Sequence, residues 1–396
     1  MWWDLLHSEF EPRSATKGEI FWALHQPFLA ESGYNLRAKY EPGSKPPQWK
    51  TRGDMICSED YTPYPHNGIM DATRASDDRL LTLKAMSKSR HPYEVTIGRF
   101  LSSPPMDSHP KNHCVPILDV LQLPLDNDIE IIVMPRLRSF DSPAFDTVGG
   151  FLDCFRQIFE GIEFMHTHMV AHRDCTSMNI MLDASELYPE GFSPVNPWLV
   201  PDHSGLEKAK HITRTQCWPR YYLIDFGISR RYDPSNVPPM EPPIGGGDKH
   251  SPEHSIITVN PPWVDSCNPF PTDVYYLGSM LKRTFSVGTF RPLKFLSPLA
   301  DDMIRWDPNL RPTIGEVVQR FAELCNKRTK SELCQPGCPK QNTVSQRLRR
   351  LKYILCRVLP LPSAPFTTDT TIDPSLRPFY SLTPDRLAAI NFLETP

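Results

Sequence analysis

The sequence predicts an α+β fold, a small β-rich part followed by a larger, mainly helical part. Two observations carry this: strand-like apolar runs gather between residues 62 and 137, and apolar residues at helical spacing dominate from residue 148 onward. Residues 1–60 are rich in Trp, Glu, Lys and Pro and read as an N-terminal extension with one helix over 17–31. Strands are predicted over 68–72, 80–86, 119–121 and 129–134, each short and rich in Ile, Leu, Val or Met. Between them, Val95, Ile97, Phe100 and Leu101 mark one short helix over 93–101. Over 148–169, Phe151, Leu152, Phe155, Ile158, Phe159, Ile162 and Met165 recur at intervals of three and four, the pattern of a buried helix. Residues 184–219 carry few strand signals and read as an inserted surface loop. Tyr221 to Ile224 form a strand ending at Asp225, and helices follow over 270–285, 298–304 and 314–325. The tail, 327–396, loses regular patterning and ends in Pro-rich residues that read as disordered.

Composition narrows the function classes. With 396 residues and a net charge of −3, the chain has room for a large core and no charge bias toward nucleic acid. The 43 prolines gather in the N-terminal stretch, in 234–262 and in the tail, marking loops or extended arms. Ten cysteines lie at irregular spacings, some in apolar runs, which fits a reduced cytoplasmic or nuclear setting. No paired Cys-x-x-Cys accompanies Cys325, Cys334 and Cys338, so no zinc site is expected. Without a basic leader or about 18 uninterrupted apolar residues, a soluble, unsecreted protein is expected.

The chemistry lies in His172-Arg173-Asp174-Cys175-Thr176-Ser177-Met178-Asn179 and, downstream, Asp225-Phe226-Gly227. Phosphoryl transfer needs one carboxylate at the attacking hydroxyl, and an amide oxygen and a second carboxylate to hold magnesium against the nucleotide phosphates. Ser251-Pro252-Glu253, the Asp273 to Gly278 helix start and Arg311 follow in order. On these motifs, residues 62–326 resemble a protein-kinase catalytic domain, a divergent one similar to kinase-like proteins of fungi. The resemblance implies a bilobal fold with a small lobe over 61–137 and a larger one over 138–326. ATP would lie between them, beside a hinge at Met134 to Leu137.

By the same resemblance Asp174 is the catalytic base, Asn179 and Asp225 are the Mg2+ ligands, and Lys84 grips the ATP phosphates with Glu94 as its partner. Gly68 is the one glycine in the stretch that would cover the phosphates. Glu253 is expected to pair with Arg311, and Asp273 to cap backbone amides behind the catalytic loop, with Tyr275 in the place of the usual Trp. A small-molecule kinase fits less well, since such enzymes usually lack the segment ending at Glu253.

Three departures stand out. The covering stretch, residues 61–68, holds Pro63 and Pro65, which have no amide to donate. Thr176 stands where serine/threonine kinases carry a charge-neutralising lysine, and Met178 supplies no arginine instead. Arg173 matches the arginine that reads an activation-loop phosphate, yet the hydroxyls of 228–250 all lie near its start, so Glu241 or Asp248 is expected as a fixed acidic partner. These departures leave two readings, a protein serine/threonine kinase and a pseudokinase scaffold. Residues 346–359, basic and amphipathic, read as a helix packed on the domain with a solvated basic face or as a contact for a membrane surface or a partner, beside a protein substrate.

Overall fold

The computed structural model describes residues 15–44, 58, 66–201, 207–242, 247–248, 250–254, 266–286 and 291–335. The chain forms two compact units, each built from three stretches: 1–92, 119–146 and 181–220 in the first, and 93–118, 147–180 and 221–396 in the second. The fold is mixed α and β, as the sequence predicts.

The first unit is built on an antiparallel sheet of β1 (Tyr34–Asn35), β2 (Ile69–Arg74), β3 (Leu80–Ser87), β4 (Asp119–Gln122) and β5 (Ile129–Pro135), in the order β1-β2-β3-β5-β4. Alternation buries Leu81 and Leu83 on β3 and Met70 and Ala72 on β2. The Tyr34 hydroxyl on one edge strand donates to Asp119 on the other at 2.7 Å, so the sheet curls until its edges meet.

Residues 17–44 are part of this unit rather than an appended arm. Helix α1 (Lys17–Glu31) opens with a capping box in which Thr16 and Glu19 satisfy each other's backbone amides. Its Trp22 and Leu29, with Tyr34, Leu36 and Tyr40 beyond it, are buried. Local periodicity shows the helix, but pairing of β1 with β2, more than thirty residues away, leaves no local signal.

The 184–219 segment is likewise packed. Leu187, Tyr188 and Leu199 are buried, and the Arg138 guanidinium lies 4.4 Å from the Tyr188 ring centroid and 4.7 Å from that of Phe192. Arg138 also donates to the Ser142 and Pro197 carbonyls. Arg214, buried against Phe145, donates to the Pro143 carbonyl.

The second unit holds α2 (Glu94–Ser102), α3 (Val148–Thr167), α4 (Phe270–Ser286), α5 (Ser297–Met303) and α6 (Ile314–Asn326). The Thr147 hydroxyl caps α3 by accepting from the Gly150 amide. A run of aromatic contacts, Phe151 on Phe155, Phe155 on Phe159 and Phe159 on Phe321, joins α3 to α6. Although α2 lies among the strands in sequence, it packs in this unit: a Cβ on its Gly98 would fall 2.8 Å from Ile117 and 3.8 Å from Phe226. Among the described residues no helix is long and apolar enough to cross a membrane. The basic stretch 346–359, the Pro-rich tail and residues 61–65 lie outside the described residues.

Candidate functional site

The second unit folds the His172 to Asn179 loop back on itself. Val170–Ala171 pairs antiparallel with Arg230–Arg231, so the chain entering the loop runs beside the chain leaving Asp225-Phe226-Gly227. Ile224 fastens the two: its amide donates to the Asn179 carbonyl at 3.0 Å and its carbonyl accepts from His172 Nε2 at 3.1 Å. Because Asp225 follows Ile224 directly, Asn179 and Asp225 are neighbours in space. Asp225 takes a left-handed φ of 65°, and its carboxylate accepts from the Gly227 amide at 3.2 Å.

Beneath the loop sits Asp273, in the first turn of α4 and fully buried. Its carboxylate accepts the backbone amides of His172 at 2.9 Å and Arg173 at 2.7 Å, and it meets His166 Nε2 at 2.9 Å. Burial pushes this carboxyl's pKa up, but the His166 hydrogen bond and the neighbouring imidazoles outweigh it and hold the group below its usual range. Arg173 can therefore keep its left-handed φ of 69°, a conformation that non-glycine residues adopt rarely. The Ser229 hydroxyl adds a bond to the His172 carbonyl at 2.9 Å.

So held, Asp174 presents its carboxylate with both oxygens engaged. Asn179 Nδ2 donates to Oδ2 at 2.8 Å and to the Asp174 carbonyl at 2.9 Å, while the Asp248 amide donates to Oδ1 at 3.2 Å. Gly247, at φ 66°, lets the chain pass this closely. Since a carboxylate only accepts, the Asn179 amide nitrogen must face it, which leaves Asn179 Oδ1 outside this contact. That oxygen and the Asp225 carboxylate are donors of the kind a hard cation takes. Among the described residues no three His, Cys, Asp or Glu side chains converge to hold a metal unaided.

Arg173 meets Glu241: Nη1 lies 3.6 Å from its carboxylate, and Nη2 donates to the Pro242 carbonyl at 3.3 Å. Glu241 is fixed by two backbone bonds with Cys267, at 3.0 and 2.8 Å. Of the two acidic partners expected from sequence, Asp248 instead contacts Asp174 through its amide and His250 through its carboxylate. Glu253 and Arg311 form a two-pronged ion pair at 2.7 and 2.8 Å, and Thr272 donates to the same carboxylate at 2.7 Å.

The remaining candidates divide between the units. Lys84 lies on β3 opposite Ile69 and Ile132, Gly68 immediately precedes β2, Met134 lies on β5 and Leu137 just beyond it, all in the first unit. Glu94 opens α2, buried, in the second. Sequence reasoning missed His166, Ser229 and the Asp248 amide, none of which carries a local signal. No family model matches the chain, and no curated protein matches it.

Proposed function

We propose that the chain is an ATP-dependent protein kinase of the bilobal type, transferring a phosphoryl group to serine or threonine hydroxyls of a protein substrate. The observation that carries this reading is the Asp174 carboxylate bonded to Asn179 and backed by Asp273 beneath the loop, with Asp225 directly after Ile224, whose amide donates to the Asn179 carbonyl. Asp174 accepts the proton of the attacking hydroxyl, and Asn179 Oδ1 and Asp225 hold Mg2+. Mg·ATP supplies the phosphoryl group and the charge neutralisation for its transfer. Lys84 is on β3, the third of the described strands of its sheet in chain order, and in protein kinases the phosphate-gripping lysine also lies on a third strand. Glu253 with Arg311 ties the segment after the site to the helical part, as in that family.

Thr176, in the lysine's place, favours a second reading, a pseudokinase scaffold, because transfer depends on charge at the moving phosphate. Incubation with labelled ATP, Mg2+ and a generic protein substrate separates the two. Wild type is expected to label the substrate, and Asp174→Asn to lose at least about a hundredfold of that rate, within the usual contribution of a general base. Equal, negligible labelling by both proteins leaves the scaffold.

A further inference from the structure

Helix α1 grips the turn that leads into β2. Trp22 is 1% exposed, and its indole N–H donates to the Asn67 carbonyl at 3.0 Å. One helical turn earlier, Gly18 brings the helix backbone against the same residue: a Cβ there would lie 2.8 Å from Asn67 Cα and 2.9 Å from its Oδ1. Only about 10 Å3 of free space is left between the helix and the turn.

This grip fixes more than a carbonyl. In a trans peptide the C=O and N–H point to opposite sides, so drawing the Asn67 carbonyl toward α1 turns the Gly68 N–H away from it. The peptide cannot swing back easily, because the His66 carbonyl accepts from the Ile69 amide at 3.1 Å and the Gly68 carbonyl accepts from Ala85 at 2.8 Å. Among the described residues the Gly68 N–H itself meets no hydrogen-bond acceptor. It stands one residue before Ile69, which pairs with Lys84 across the strands. An amide so fixed, with no acceptor among the described residues and next to a lysine-bearing strand position, has the chemistry to donate to an anion.

We propose that Trp22 is a positioning residue for nucleotide phosphates, presetting the Asn67–Gly68 peptide so that the Gly68 amide donates to a phosphate oxygen. This rests on the kinase reading above. It also explains how a covering stretch containing Pro63 and Pro65 keeps a usable amide: orientation from behind replaces the glycines.

The test compares equilibrium binding of Mg·ATP and of adenosine, which lacks phosphates, to the full chain. Trp22→Phe keeps an aromatic ring, though a smaller one, and deletes the N–H. It is expected to weaken Mg·ATP about fivefold, the worth of one hydrogen bond, and to leave adenosine unchanged. Gly18→Ala, favourable to the helix itself but displacing Asn67, is expected to show the same selective loss and carries the test if Trp22→Phe does not fold. Variants that bind Mg·ATP as wild type does, or lose both ligands equally, overturn the proposal while the kinase reading stands. A wild type that binds neither ligand overturns both.

Discussion

Among single residues, Arg173 shows how a charge is accommodated inside the second unit. Its guanidinium is almost wholly buried and faces one carboxylate, that of Glu241, which is partly exposed. Glu241→Gln is therefore expected to lower unfolding stability by about 1–2 kcal/mol, less than the loss from a fully buried pair. Urea unfolding measures this, and an unchanged midpoint would show that the pair adds nothing. The sequence named both acidic candidates because charge is legible in one dimension. Which one meets Arg173 depends on the backbone pairing of Glu241 with Cys267, and no local pattern announces that. His166 is similar: it reads as a polar residue near the end of a buried helix, and only the fold brings Asp273 to it.

At the scale of elements, the ion pair between Glu253 and Arg311 joins the stretch before α4 to the turn before α6. Both side chains are buried, so Arg311→Met, which strands the carboxylate, is expected to cost about 3–5 kcal/mol. Replacing both partners by apolar residues should recover part of that loss. Burial alone would raise the Glu253 pKa, but the Arg311 hydrogen bond and charge outweigh it and set the folded value below the ordinary 4.5. A carboxyl depressed on folding stabilises the fold fully above its unfolded pKa, and this is lost as pH falls through the folded value. The pH-dependent part of the difference between wild type and Glu253→Gln should thus be constant above pH 4.5 and vanish below it, a comparison that unfolding curves at several pH values provide. Helix α3 was legible from its apolar stripe, with the chain turning at Met169 where φ becomes 59°. The packing of residues 184–219 was not, since Arg138 among aromatic rings looks in sequence like an ordinary surface charge.

For the molecule as a whole, the first unit cannot be cut where composition changes. The resemblance places the start of the catalytic domain near residue 61, yet α1 and β1 supply buried Trp22, Leu29 and Tyr34 and cover one side of β2. A chain lacking residues 1–44 is expected to lose cooperative thermal unfolding and near-ultraviolet dichroism, because fully burying each large apolar side chain contributes about 1.5–3 kcal/mol. Retention of both signals would refute the assignment. Short apolar runs identified β2, β3 and β5, because their apolar residues are local. Membership of α1 in the same core depends on contacts across the whole β1 to β2 connection.

The bonds to Asp174 limit what an incoming molecule must do. Of the roughly four lone pairs of a carboxylate, Asn179 and Asp248 each use one, on different oxygens. The side chain is locked in direction while two acceptor positions remain, one more than a single hydroxyl requires. On the proposed kinase reading, an acceptor that brings its hydroxyl to Asp174 would meet a base already aimed, and the entropy of aiming would fall on folding instead of on each encounter.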